Sequence, residues 1–234
     1  MSAAGSGSAE TPEFGGTPGH AVRRASEILR SEGARVLWFR LLGETFYRRM
    51  ILFERPLDEP ATPSQPEVPV TISLLQPGEV GEYAAFRPGA DAQETRSRLE
   101  QGQLCWVARQ QGALVHAIWS ATVSAWIRYL DCEIQLAADE AYIYESYTVP
   151  ALRRLNINTA RSEVMARYFR EHAFSRLLAL VMPENPAGIN ATLRAGYRRA
   201  GIIGRMKAGP WRRDFYRLDP GVQPVILRSR KPSK

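Results

Sequence analysis

The sequence predicts an α+β domain built on a central mixed sheet of about seven strands flanked by helices. Two observations carry this expectation. Segments of alternating and of helical apolar period follow one another as strand, two helices, three strands, helix, strand, helix and two strands. The 234 residues, 44% hydrophobic and 24% charged, suffice for one well-buried core plus an appendage but are thin for two full domains.

Taken in order, residues 1–20 are rich in Gly, Ser, Ala and Pro with almost no apolar periodicity, which predicts disorder. Residues 21–54 form an N-terminal extension. Val22, Ala25, Ile28 and Leu29 lie at helical spacing and Gly33 ends the helix. The runs Val36 to Phe39 and Phe46 to Phe53 interleave aromatic and basic residues. They are expected to dock on the main domain or on a second subunit, leaving a homodimer open; the rival reading, a membrane-surface helix, conflicts with the unbroken Ile51-Leu52-Phe53. Prolines at 56, 60, 63, 66 and 69 make residues 55–67 an extended linker, unable to join a helix or a central strand. The main domain is expected over 68–218, with 219–234 as a basic tail, so a chain cut to 67–219 is expected to fold by itself.

Within that domain, strands are expected at 70–75, 104–109, 113–123, 141–149, 176–182, 197–206 and 211–218. The turn Gln110-Gln111-Gly112 joins the second and third as a hairpin. Helices are expected at 77–86, 91–101, 158–172 and 188–195. Residues 124–139 give no clear pattern, and no internal repeat is present.

No run of eighteen uncharged apolar residues exists, and the N-terminus lacks a charged region followed by an apolar one, so the expectation is a cytoplasmic protein with no membrane partner. Cys105 and Cys132 stand alone, and His20, His116 and His172 are scattered singly. Neither a disulfide framework nor a metal site is expected. The net charge of +7 suits an anionic ligand. Nucleic acid is not expected as a partner, because no recognised motif accompanies the charge, whereas a phosphorylated cofactor uses it equally well.

Two segments carry a more specific signal. In the first, Tyr142 to Ala160, a β-rich run ends at Pro150 and Ala151-Leu152-Arg153-Arg154-Leu155-Asn156-Ile157-Asn158 opens a helix. It resembles the acyl-CoA loop of the GNAT superfamily of N-acyltransferases, whose pattern is Gln or Arg, two residues, Gly, one residue, then Gly or Ala; Arg153 takes its first position. The second, Asn185 to Tyr197, resembles that superfamily's Asn-to-Gly-Phe segment, with Gly196-Tyr197 in place of Gly-Phe. The resemblance spans residues 68–218 and implies a GNAT-like fold, acetyl-CoA or another acyl-CoA as co-substrate, and a small-molecule or peptide amine as acceptor. It further implies that pantetheine runs along Tyr147, Thr148 and Val149 like an added strand, that Arg153, Arg154, Leu155, Asn156, Ile157 and Asn158 hold the pyrophosphate, and that Asn185 belongs to the cofactor site.

The chemistry is consistent with this. A helix N-terminus presents unpaired N–H groups and positive potential, so it binds pyrophosphate without a metal. Asn156 and Asn158 depart from the pattern's small residues. Asparagine tolerates left-handed backbone, so the path can persist, but two side chains crowd the anion. The alternative is a plain helix-capping turn with Asn156 or Asn158 as cap. Acyl transfer needs one base to deprotonate the amine, and Glu145, inside a Tyr- and Val-rich strand, is the candidate; a Glu on a solvated or paired face is the other reading. Tyr144 and Tyr147 pack or line the substrate pocket. The superfamily's frequent acid tyrosine falls on Thr192, and Tyr216 is a distant substitute. These features imply an N-acyltransferase, with a GNAT-fold binding or scaffold protein that has lost turnover as the alternative.

Overall fold

The computed structural model describes residues 47–58, 65–208 and 211–229. Eleven strands are present among them: β1 (Tyr47–Pro56), β2 (Thr71–Leu74), β3 (Leu104–Gln110), β4 (Ala113–Ala121), β5 (Ser124–Ile127), β6 (Cys132–Gln135), β7 (Glu140–Thr148), β8 (Arg176–Val181), β9 (Arg198–Ala208), β10 (Trp211–Leu218) and β11 (Ile226–Arg228). The helices are α1 (Val80–Phe86), α2 (Ala92–Glu100), α3 (Ile157–Glu171) and α4 (Pro186–Arg194). No helix among the described residues is long and apolar enough to cross a membrane. The α+β class and the mixed sheet are as expected.

Eight strands form the main sheet in the order β10-β9-β1-β8-β7-β4-β3-β2. Every neighbouring pair is antiparallel except β7 and β8, which run parallel. The hairpin between β3 and β4 turns through Gln111 and Gly112, both at positive φ (50° and 85°), which suits a tight two-residue turn.

The position of β1 corrects the expected boundaries. Residues 47–56, assigned from sequence to the extension and the start of the linker, form a central strand paired with β8 on one side and β9 on the other. The unbroken Met50-Ile51-Leu52-Phe53 is the signature of a strand buried on both faces. Met50 and Leu52 join one core cluster, with Ile203, Leu178 and Ile134, while Ile51 and Phe53 join another, with Met165, Phe169 and Leu177. Pro56 is tolerated because it is the last residue of the strand. The domain therefore does not begin at residue 68. The predicted helix at 21–31 and the run Val36 to Phe39 lie outside the described residues.

The basic tail is corrected as well. Residues 124–139, unreadable from sequence, contribute β5 and β6 to a second sheet of order β11-β6-β5, with β11 supplied by the supposed tail. Val225 and Leu227 are buried there. This small sheet covers one face of the main sheet through Ile127, Leu130, Ile134 and Leu227, and α1 with α2 cover the β3–β4 end through Tyr83 and Leu99. On the other face α3 packs Met165, Ala166 and Phe169 over Trp106, Ile143 and Leu177.

Candidate functional site

The one parallel pair is joined over only part of its length. β7 and β8 are paired only from Glu140 opposite Arg176 to Ile143 opposite Ala179, although β7 continues to Thr148 and β8 to Val181. Their closed end is held by a buried ion network: Arg176 reaches Glu140 through Nε at 2.8 Å and Glu54 through Nη1 at 3.1 Å, and Glu54 also accepts from Arg198 at 3.0 Å. A cleft of about 500 Å³ at that end is lined by Glu54, Arg176 and Arg198 of this network, together with Asp58 and Arg170. At the open end the main chain of β7 beyond Ile143 has no β8 partner.

A bulge lies just past the last pair. Trp119 faces Tyr144 and Ala117 faces Tyr147, which places both Glu145 and Ser146 opposite Ile118. Glu145 takes the left-handed conformation (φ 52°) that the extra residue imposes. Its carboxylate is held by Arg98 of α2, with Nη1 at 2.7 Å from Oε2 and Nη2 at 3.1 Å from Oε1. Arg98 in turn lies over the Trp119 and Tyr144 rings and bonds Glu94 at 2.6 Å. The Glu145 side chain is still 37% exposed. Tyr144 stacks on Tyr142 and donates to Gln103; Tyr147 meets Phe86 edge-on and carries Arg87 over its ring.

β7 ends in the predicted loop. A 3-10 turn, Pro150–Leu152, leads through Arg153 to α3, with Arg154 and Asn156 both left-handed (φ 71° and 57°). Two asparagine-tolerant or strained positions thus take the place of glycine flexibility. Asn156 occupies the N-cap position of α3, yet its side chain makes no cap; it donates to Glu67 Oε1 at 3.0 Å instead. Asn158, in the first turn, gives its Nδ2 to the Ala191 carbonyl of α4 at 3.4 Å and accepts from Arg161. Neither asparagine covers the helix start, and the capping-turn reading is not what the geometry shows. Arg153 is pinned by Nε to the Thr148 carbonyl at 3.2 Å, Ile157 is buried under the loop, and Leu155 packs beside it. Val149 has both main-chain groups engaged, its N–H with Val115 and its carbonyl with Leu152. Its N–H is therefore not free for a ligand.

Behind the loop lies a buried polar cluster that sequence reasoning missed. Thr148 Oγ1 is 2.8 Å from His116 Nδ1, while His116 Nε2 has no hydrogen-bond partner. Burial, reinforced by the nearby Arg161 charge, holds the His116 imidazole well below its ordinary pKa and hence neutral. Arg161 is 1% exposed, and burial pulls its guanidinium down to about 10. Next to it Arg55 bonds Ser162 and the Ala195 carbonyl and pairs with Glu163 at 2.8 Å. The close approach of Arg55 to Gly196, with a Cβ there only 3.2 Å from the guanidinium carbon, explains why a glycine at φ 84° precedes Tyr197. A signal for Arg161 was available: it stands at i+4 from Ile157 and i−4 from Met165, both apolar, so the helical period already put it on the buried face.

Asn185 caps α4, its Oδ1 accepting from the Gly188 N–H at 2.9 Å, so this oxygen is used in the fold. Thr192 lies on α4, half-buried. Tyr216 accepts from the Leu227 N–H at the small sheet and stands on β10, with β9, β1 and β8 between it and β7. Both cysteines are buried, and desolvation drives the thiols up, Cys132 to about 12, which makes them packing groups and not nucleophiles. Among the described residues no group of three or more His, Cys, Asp or Glu could hold a metal.

The mixed sheet thus parts at its single parallel pair, beside the loop that opens α3. No family model and no curated protein matches the chain. Similar solved structures include a GCN5-related N-acetyltransferase from Sphaerobacter thermophilus (20% identity, TM-score 0.47, covering 71% of this chain and 54% of that one). An acetyltransferase of the GNAT family from Streptococcus pneumoniae is similar at 12% identity and TM-score 0.47, covering 63% and 96%. A functionally unknown conserved protein from Staphylococcus epidermidis is similar at 15% identity and TM-score 0.45, covering 71% and 64%. The chain thus spans less than two thirds of the length of the first and the last of these.

Proposed function

We propose that the protein is an N-acyltransferase that moves an acyl group from acyl-CoA to an amine. The observation that carries this reading is the parting of β7 from β8 directly beside an α3 N-terminus whose two asparagines are both turned away from it. The unpaired edge of β7 offers main-chain groups to the pantetheine arm around Tyr147 and Thr148. The first N–H groups of α3, with Arg153 and Arg154 on the preceding loop, suit the pyrophosphate.

At the bulge, Glu145 is the base. The amine nitrogen attacks the thioester carbonyl carbon, a C–N bond forms, its proton passes to the Glu145 carboxylate, and the C–S bond breaks to release the thiolate. Arg98 is paired with the same carboxylate. Thr192 does not titrate usefully, and the thiolate leaves without an acid. A small-molecule or peptide amine is the acceptor class, and the cytoplasm is the proposed location.

Calorimetry with acetyl-CoA and longer acyl-CoA esters, followed by turnover with an amine panel, tests this. Binding with turnover is expected. Binding without turnover on any amine would make the protein a binding or scaffold member of the fold, and no binding at millimolar concentration would end the acyl-CoA reading.

A further inference from the structure

Arg161 is a buried cation without a carboxylate. Its Nη2 donates to Asn158 Oδ1, Nη1 reaches the Met165 sulfur at 3.4 Å, Nε makes no hydrogen bond, and another polar neighbour is the uncharged Tyr197 hydroxyl. The neighbouring Arg55 has Glu163 as its counter-ion, but among the described residues no such ion pair serves Arg161. An isolated buried charge is costly, and an anion placed near it would offset that cost.

The direction in which Arg161 reaches indicates where that anion belongs. Asn158 stands in the first turn of α3, and the bond from Arg161 carries the guanidinium toward that end of the helix. The first intrahelical bond runs from the Ala160 N–H to the Asn156 carbonyl, so the N–H groups of Ile157, Asn158 and Thr159 precede it. No side chain caps them. Helix dipole and buried charge then act on the same spot.

We propose that Arg161 is the buried counter-charge of a phosphate-binding helix start, with Asn158 held between the cation and α4 so that its side chain leaves the N–H groups clear. In the acyl-CoA reading, on which the identity of the ligand rests, the bound anion is the pyrophosphate of CoA. Arg161 acts through position and field, so it is a positioning residue and not a catalytic one.

The test uses the full chain and three probes: CoA, inorganic pyrophosphate, and pantetheine, which has no phosphate. Arg161→Met removes the charge at similar length beside Met165; Arg161→Gln also removes it but keeps a donor toward Asn158. Whichever variant retains the wild-type circular dichroism decides. The expected result is at least tenfold weaker CoA binding and loss of the thermal shift given by pyrophosphate, with pantetheine affinity unchanged. Equal weakening of CoA and pantetheine would reveal a packing defect and overturn the proposal, as would unchanged binding of CoA and pyrophosphate. The two readings fail separately. Arg161-dependent pyrophosphate binding without CoA binding sinks the acyl-CoA function alone, whereas tight CoA binding indifferent to Arg161 sinks the counter-charge alone.

Discussion

Arg98 grips the Glu145 carboxylate through both oxygens, at 2.7 and 3.1 Å, across the space between α2 and the bulge of β7. The pair explains how a glutamate comes to occupy a left-handed position: the bulge re-aims its side chain toward α2, where a cation held over Trp119 and Tyr144 receives it. If Glu145 is the base, Glu145→Gln lowers the acyl-transfer rate by roughly 10²-fold or more and leaves CoA affinity nearly unchanged, since the amide keeps the shape but takes up no proton. Equal rates in steady-state assays would remove Glu145 from the mechanism and leave it as the anchor of Arg98.

β1 makes a prediction opposite to the boundary drawn from sequence. A chain beginning at residue 67 lacks the strand that joins β8 to β9, exposing two long edges and the apolar surface that Leu52 and Phe53 cover. Such a chain is expected to aggregate. In the full chain, Phe53→Ala should cost about 3–5 kcal/mol in urea unfolding, the usual loss for a large aromatic in a closed core. A soluble, cooperatively folding chain of residues 67–219 would refute the central role of β1.

Much of this architecture was legible because its segments are locally consistent. The hairpin at Gln111-Gly112, the strand through Tyr142 and the helix from Ile157 have period, turn residues and apolar content that agree with the final structure. What stayed hidden depends on partners distant in sequence. Met50 to Phe53 reads as an apolar run with no indication of which strands flank it, and the prolines after it suggested a break where the strand in fact only ends. β5, β6 and β11 are three- and four-residue pieces whose stability comes from packing on the main sheet. In the site, the motif pointed to the loop, but Arg98 and Glu67 are drawn in from other elements by contacts that no local pattern encodes.

His116 gives the protein a pH dependence. Its unfolded-state pKa is near 6.5, and burial depresses the folded value well below that, so between the two only the unfolded chain takes up a proton. Stability from this group is complete above pH 6.5 and is lost as pH falls below 6.5 toward the folded pKa, at about 1.4 kcal/mol per pH unit. His116→Asn should reduce the acid slope of ΔG of unfolding between pH 6.5 and 5 by about one proton relative to wild type. Parallel slopes in urea titrations would show that His116 titrates in the folded protein as it does in the unfolded one.

Glu67 supplies the last prediction, because it puts a negative charge where the proposed function needs an anion to bind. Its main-chain N–H bonds the Leu155 carbonyl at 3.1 Å, and its carboxylate takes the Asn156 amide, so it is fixed beside the loop that leads into α3. Glu67→Gln retains an acceptor for Asn156 and removes only the charge. CoA binding should tighten by about two- to fivefold at low ionic strength, and the gain should shrink as salt screens an exposed site. Asn156→Gly accepts the same φ of 57° and frees Glu67 from its partner, so affinity should hold or rise, provided the loop binds through its main chain. Calorimetry at two salt concentrations separates the possibilities: weaker binding by Glu67→Gln at both would mean that the carboxylate helps hold the loop in shape. Weaker binding by Asn156→Gly, with Glu67→Gln unchanged, would mean that the asparagine amide itself touches the ligand.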